Sequence, residues 1–546
     1  MASGLLGIAT SGLTAFQRSL TTTGHNISNV NTEGYSRQRV DLTERPPQFT
    51  GAGFLGNGVD IASVTRSYDN FLNNQVRIST STHAELDVYH SMSAQVDNIL
   101  ADKDAGLSSS LQAFFNAVQG VANDPTSIAA RRVMLTEGET LAKRFNTLDS
   151  RMNELRGQTN QGLAESVDEM NNLASGIAAL NERIVVALGQ SGGKQPPNDL
   201  LDQRNLLLEK LSKQVDTRAI ELDDGSLSVF IGTGQTLVMG SYASSLKLQD
   251  SAYDPNRKDI ALSVGGSGSV VITDNLSGGQ VGGLLNFASR VLNPTQNDLG
   301  RIAAGLAVQF NAQHRLGYGL DGDTGLDFFA APSVSVLGRS GNAGVITASF
   351  ADVNQLTASD YRIDRSAGGA VVTDLHTNTV TTYTSATFTH EGLAFDVSAA
   401  AVGDSFLVQP TRRVAGELTL TLTDSRQIAA SASDTATGTV GDNGNVRALA
   451  ALQTGRNLLN GKASYQDAYS AIVGDVGSLT KAAEVNSTAQ KNLLDHAIQA
   501  RDSVSGVNLD EEAANLIKFQ QSYQAAAQLI TVVNSTFDAL IGAIRR

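Results

Sequence analysis

Apolar residues recur every seven positions at both ends of this chain. Near the N-terminus Leu6, Leu13, Leu20 and Ile27 stand seven apart, with Ala9, Phe16, Thr23 and Val30 at an offset of three. Near the C-terminus Leu509, Leu516, Tyr523, Ile530, Phe537 and Ile544 repeat the spacing, with Phe519, Ala526, Val533 and Leu540 between them. A seven-residue repeat keeps one seam of a helix against a partner, so both ends predict helices with coiled-coil-like faces. Their other faces carry mainly Gln, Ser, Ala, Thr and Asn, with few of the charge pairs that stabilise an isolated coiled coil. Such helices either dock on a core or pair with each other and with neighbouring copies. Their terminal position favours the second reading, because helices poor in charge pairs gain little alone and much among many others.

Between the ends the period alternates between two values. Residues 76–188 carry long 3.6-residue patterns, with Asp124 and Pro125 before one helix start. Residues 196–216 open with prolines and Asn198 as a cap, and further helices are expected near 280–315, 444–458 and 464–501. "RAIELDDGSLSVFIGTGQTLVMG" instead alternates around an Asp224-Gly225 turn, and residues 333–425 give short strands split by Gly, Asn and Asp. The fold class expected is therefore α+β and multidomain: terminal helices in a coiled-coil-like layer, a long helical bundle of discontinuous segments, and inserted β-rich domains. The boundaries expected are 1–75 with 503–546 for a terminal helical assembly domain and 76–216, 280–325 and 436–502 for the helical core. The β-rich insertions are expected at 217–279 and 326–435. Such a chain goes out and comes back, with both ends at one pole.

A length of 546 residues is ample for several cores. The net charge of −14, without a run of Lys and Arg, argues against nucleic acid and an anionic membrane surface. With no cysteine, disulfides, thiolate nucleophiles and Cys-ligated zinc are excluded. The start lacks the basic and apolar regions of a secretory signal, and no stretch approaches the roughly 18 apolar residues of a membrane helix. Export, if it occurs, is then not by a conventional signal peptide.

Fragments of catalytic motifs fail on context. "GAGFLG" at 51–56 fits the dinucleotide fingerprint but is followed by a turn and a strand, where the pyrophosphate needs a helix N-terminus. "GQSGG" at 189–193 fits a nucleophile elbow around Ser191, yet follows a helix and runs into "KQPP". "DGDTGLD" at 321–327 offers Asp321, Asp323 and Asp327 but lacks the spacing and terminal Glu of an EF-hand, and reads as a turn. His83 and His90 share a helical face without an HExxH pattern. No catalytic, cofactor-binding or metal-ligating residue is therefore assigned, and no cofactor is expected. An enzyme reading would rest on Ser191 or on the Asp321 loop.

The segment "TTTGHNISNVNTEGYSRQ" at 21–38 carries the strongest local signal. Gly24 can end the first helix, although Ile27 and Val30 keep the seam in phase. Asn26, Asn29, Asn31 and Thr32 can bond nearby backbone, Gly34 allows a positive φ, and Tyr35 gives a flat anchor with a polar tip. "GHNISNVNTEGYSRQ", with "GNGVDIASVTRSYDNFLNNQ" and the C-terminal "GVNLDEEAANLIKFQQSYQAAAQLITVVNSTFDALI", resembles the axial proteins of the bacterial flagellum: rod, hook and hook-associated proteins. Interior segments such as "PPNDLLDQRNLLLEKLSKQVD" and "DSFLVQPTRRVAGELTLTLTDSRQIAAS" are similar to hook-associated members at the junction of hook and filament. His25 stands where many relatives have a small or amide residue.

The resemblance implies a structural adaptor rather than an enzyme, with a hook or rod subunit as the alternative. It implies paired terminal helices as an inner tube, a helical second layer and outward β domains. The implied partners are the flagellar hook protein, the next hook-associated protein on the filament side, other copies of the chain, and a dedicated export chaperone at the C-terminal helix. Nucleic acid and membrane insertion are not implied. Localisation would be extracellular, in the flagellum, after type III export. The assembly interface expected comprises Leu6, Leu13, Phe16, Leu20, Ile27, Asn29, Asn31, Tyr35, Leu516, Phe519, Tyr523, Ile530, Val533, Phe537 and Leu540.

Overall fold

In the computed structural model the chain leaves and returns along one axis. The structure describes residues 2–49, 53–102, 106–263, 268–437 and 441–544; the side chains of Ala2, Ser3, Thr437, Leu540 and Ile544 lie outside the description. Helix α1 (Ala2–Ser28) leads to a ladder of β1 (Gln38–Glu44) with β4 (Val59–Arg66), extended by the short pair β2 (Gln48–Phe49) and β3 (Phe54–Leu55). Helices α2 (Asn70–Ala101), α3 (Leu107–Asn123), α4 (Ile128–Gln190) and α5 (Asn198–Gln214) follow. Side-chain caps start α2 and α4: the Asp69 carboxylate accepts from the amides of Phe71 and Leu72, and the Ser127 hydroxyl from that of Ala130.

The first β region holds two sheets. One orders β5 (Thr217–Glu221), β6 (Leu227–Ile231), β7 (Gln235–Met239) and β8 (Tyr242–Ala243) as a meander; the other places β10 (Lys258–Ser263) between β9 (Ser245–Asp250) and β11 (Ser269–Val271). Helix α6 (Gly279–Phe287) passes through a π turn at Ala288–Leu292 into α7 (Asn293–His314). The second β region comprises β12 (Ser335–Gly338), β13 (Thr347–Phe350), β14 (Tyr361–Ser366), β15 (Gly369–Asp374), β16 (Val380–Tyr383), β17 (Thr387–His390), β18 (Leu393–Asp396) and β19 (Ser405–Gln409). Its larger sheet runs β12-β19-β14-β15-β16 and its smaller one β13-β18-β17. Short helices α8 (Val414–Glu417) and α9 (Gly444–Ala451) lead to α10 (Tyr465–Ser505), which pairs with α2, and to α11 (Leu509–Ile544), which pairs with α1.

Two hydrophobic cores share α4. One gathers α3, the first half of α4, α7, the second β region and the start of α10 around Phe114, Phe145, Phe310 and Phe328; the other packs the second half of α4, α5 and α6 on the first β region around Met170, Ile177, Val229 and Ile260. The architecture is α+β and multidomain.

Three local expectations are corrected. Gly24 does not end α1, which continues to Ser28; it is a partly buried interior glycine where an added Cβ would meet nothing within 4 Å. Asn198 is not the cap of α5 but its first residue, after Pro197, and its amide donates to Val64 O at 2.8 Å. The helix expected to run to 458 stops at Ala451. Within the helical stretch from Tyr465 to Ala543 one segment is long and apolar enough to cross a membrane, by length and composition only. The expectation that no stretch approaches that limit is corrected to this extent; the same composition suits a helix that packs among others.

Candidate assembly interface

The segment after α1 is a polar knot that ties four parts of the chain together. The Asn26 amide is 1 % exposed and uses all four of its hydrogen-bonding positions. Its nitrogen donates to Gln38 O at 2.9 Å and Glu512 Oε2 at 3.1 Å; its oxygen accepts from the Tyr35 hydroxyl at 2.8 Å and the Gln38 amide at 2.9 Å. Glu512, buried at the start of α11, also accepts from Arg37 Nε at 2.7 Å, while Arg37 Nη1 reaches Glu511 at 2.6 Å and its backbone N–H donates to Ser505 O at 2.9 Å. The end of α1, strand β1 and the α10–α11 bend are thus clamped by charge-assisted bonds.

A second set fastens the loop to α5. Asp202 accepts from the Ser36 amide and hydroxyl, each at 2.8 Å, and from Arg66 Nη1 at 2.8 Å. Burial raises the pKa of this carboxyl, against the lowering by Arg66 and Ser36. Burial and the carboxylates of Asp199, Asp202 and Glu512 likewise push the Tyr35 phenol up, so it remains a donor. Gly34 sits at φ +78°, where a Cβ would lie 3.0 Å from that of Leu206. A cleft of about 780 Å³ opens between this loop, α5 and the α10–α11 bend.

The residues expected to form the interface fall into distinct settings. Asn29, the first residue past α1, caps it, donating to His25 O at 3.0 Å and accepting from Thr32 Oγ1 at 3.1 Å. Asn31 is exposed and Tyr35 partly buried. On α1 the buried row is Ala9, Ser11, Ala15, Ser19, Thr22, Thr23 and Asn26, facing α11 and the β1–β4 ladder. Leu6 is 38 % exposed, and Leu13, Phe16, Leu20 and Ile27 are partly buried. On α11 Val533 is buried, Leu516, Phe519, Tyr523 and Ile530 are partly buried, and Phe537 is 48 % exposed; the side chain of Leu540 is outside the described residues. Helix pairing therefore uses the small residues, and the large ones line its edges. Arg37, Ser36, Arg66, Asp202 and Glu512, central to the knot, carry no local sequence signal, since their partners lie up to 486 positions away.

The motif fragments have structural employment. The Ser191 hydroxyl, at the end of α4, bonds Leu188 O at 3.1 Å and Gln195 O at 3.2 Å. Asp321 pairs with Arg426 at 2.8 Å and Asp327 with Arg315 at 2.6 Å, around a turn bridged from Tyr318 to Thr324. Of "GAGFLG", Gly51 and Ala52 lie outside the described residues, while Phe54 and Leu55 form β3.

Comparison with known proteins fits this geometry. Family profiles for the "Flagella basal body rod protein" and the "Flagellar basal body rod FlgEFG protein C-terminal" match residues 6–35 and 498–543, the two ends that the knot joins. The interior matches the "Flagellar hook-associated protein FlgK helical domain" at 93–329 and the "Flagellar hook-associated protein 1, D2-like domain" at 336–410. Rod-type ends around such an interior define the class, an axial protein of the bacterial flagellum.

Within that class the relatives are specific. Flagellar hook-associated protein 1 of Salmonella typhimurium is 37 % identical over 99 % of both chains, and that of Escherichia coli 35 % over 99 % of both. The solved structure of the flagellar hook junction protein FlgK from Burkholderia pseudomallei superposes with a TM-score of 0.72 at 26 % identity, covering 79 % of this chain and all of that one. The chain belongs to the flagellar hook-associated protein 1 family, the hook–filament junction proteins of the flagellum, whose members are structural components.

Proposed function

We propose that the terminal helix pair is the assembly element of this junction subunit. Its open edges pack against other copies of the chain, the flagellar hook protein on one side and the next hook-associated protein on the filament side. The observation that carries this reading is the asymmetry of α1. Ala9, Ala15 and Ser19 are buried within the chain, whereas Leu6, Leu13, Leu20 and Ile27 keep surface in solvent. Leu516, Phe519, Tyr523, Ile530 and Phe537 continue that edge on α11. Fully burying one such side chain is worth about 1.5–3 kcal/mol, so several together drive an association that the monomer cannot satisfy internally.

The division into an assembly domain (1–75 with 503–546), a helical core and two outward β regions belongs to the same reading. So does delivery: subunits leave through the flagellar type III apparatus without a cleaved signal peptide. A dedicated chaperone covers α11 beforehand, because Ile517, Val532, Phe537 and Ile541 are exposed there. Catalysis, cofactors, nucleic acid and membrane insertion have no part in it.

Co-sedimentation with purified hook fragments tests the proposal. Leu13→Ser with Leu20→Ser is expected to abolish pelleting while leaving thermal unfolding of the monomer within a few degrees. Removal of residues 507–546 is expected to abolish pelleting as well, and full hook binding by that truncated chain would sink the proposal.

A further inference from the structure

The two hydrophobic cores meet along α4 at a gap. Leu155 is the last α4 side chain in one core and Leu163 the first in the other. Between them runs Arg156-Gly157-Gln158-Thr159-Asn160-Gln161-Gly162, without a large apolar side chain and with a glycine near each end. Glycine inside a helix is less stable than alanine. At Gly157 an added Cβ would meet nothing within 4 Å, so packing does not require glycine there.

A second helical path crosses at the same level. It passes from Leu284 in one core to Phe287 in the other, and directly afterwards its hydrogen bonding loosens into the π turn at Ala288–Leu292. Such turns inside helices mark functional irregularities. The two weak points are neighbours: a Cβ on Gly162 would lie 3.0 Å from Leu284 Cδ1, and Arg156 Nη2 donates to Gln296 Oε1 at 2.7 Å.

Open space flanks this belt. Clefts of about 770 and 540 Å³ lie on its sides, and Arg156, Asn160, Asp254, Lys258, Gln409 and Arg412 line both. Among the described residues α2 lines neither, yet its Val88 packs against both cores. The belt is thus held along α2 and hollow away from it. Across the hollow the β regions touch through polar bonds: the Ser340 amide donates to Ala252 O at 3.1 Å, and the Tyr253 and Ser405 hydroxyls are 2.9 Å apart. Polar contacts of this kind exchange for water with little net change, unlike an apolar seam.

We propose that this belt is an articulation. The core carrying the first β region rocks against the core carrying the second, with α2 as the pivot side, the 156–162 stretch and the π turn as the compliant segments, and the Tyr253–Ser405 contact as the latch of the closed state. Closing shrinks the two clefts and opening fills them with water, while each core keeps its own packing.

Because the chain has no cysteine, introduced pairs carry spin labels at defined places in the full-length protein. Ser241→Cys reports on the first β region and Ala367→Cys on the second; both positions are exposed. Pulsed dipolar spectroscopy is expected to give a broad or two-component 241–367 distance distribution, beside a narrow one for Ser241→Cys with Glu182→Cys within one body. Gly157→Ala with Gln158→Ala and Gln161→Ala should narrow the 241–367 distribution, and Tyr253→Phe should shift it toward the open component, with thermal unfolding showing that each variant folds. A narrow 241–367 distribution in the unmodified background overturns the proposal. So does a broad one that neither set of substitutions alters.

Discussion

With both donors and both acceptors of its amide engaged, Asn26 has no isosteric substitute. Alanine there strands the Gln38 amide, the Tyr35 hydroxyl and one Glu512 oxygen around a buried side-chain position, a loss of about 1–3 kcal/mol. Aspartate should be worse, because it removes both donors and sets a second carboxylate against Glu512. The expected reading is a melting temperature that falls in the order unmodified, Ala, Asp; equal melting temperatures in all three would remove Asn26 from its central role. Asn29 and Asn31 then separate: Asn29→Ala should loosen the end of α1, while the exposed Asn31→Ala leaves the monomer unchanged and affects assembly alone. His314 gives the residue scale a pH signature. It is fully buried, with its Nδ1 at 2.6 Å from Leu326 O and the Ala429 amide donating to Nε2 at 2.9 Å, a pairing that needs the neutral ring. Burial lowers its pKa from 6.5 to about 4. The unfolded chain therefore binds the proton first as pH falls, so stability is complete above about pH 6.5 and declines to about pH 4, by roughly 3 kcal/mol in all. His314→Gln should lower the melting temperature at pH 7 yet flatten its fall between pH 7 and 4.5. Parallel profiles would show that another group carries the dependence.

At the scale of elements, the β1–β4 ladder lies against α1 because Gly58 permits it. A Cβ at Gly58 would come 2.2 Å from Ser11 Oγ and 3.2 Å from Ile8 Cα, and its φ of +93° disfavours any side chain. Gly58→Ala should push the ladder from α1 and break the Val59 amide bond to Ser11 Oγ, destabilising this contact by about 1–3 kcal/mol. Trypsin should then cut after Arg39, an exposed residue of β1, faster than in the parent, with Gly56→Ala, where nothing lies within 4 Å, as the silent control. The period of α1 and α11 was legible in sequence because a seven-residue repeat survives any partner. Which row turns inward was not, since close approach of α11 and the ladder selects Ala9, Ala15 and Ser19 over the leucines, and that depends on elements hundreds of positions apart. Gly24 and Asn198 show the same limit. Each carries a sound local signal for a boundary, and each is overridden by tertiary contacts, through Asn26 beyond the first and Val64 O beside the second. The Asp202 knot was invisible for a simpler reason, as no spacing rule links Ser36 or Arg66 to a partner 166 or 136 positions on.

For the whole molecule, the out-and-back path sets a gradient of stability along its long axis. In the body α10 is backed by α2 and by the core around Tyr465, Tyr469 and Ile472, all buried. Beyond the bend at Gly506–Asn508, α11 is backed chiefly by α1, and its buried described side chains are Glu512, Ala526 and Val533. Local opening follows buried contact, so the two helices should differ widely in exchange although they adjoin in sequence. In a monomer verified by sedimentation, amides of Ala526–Phe537 are expected to exchange far faster than those of Tyr465–Val476, with the segment near Glu512 intermediate because the Arg37 and Asn26 bonds hold it. Sedimented with hook fragments, the same α11 amides should become protected while those of α10 hardly change. Strong protection of Leu516–Val533 in the verified monomer would mean that α1 alone completes the helix pair, leaving no unsatisfied edge to drive assembly.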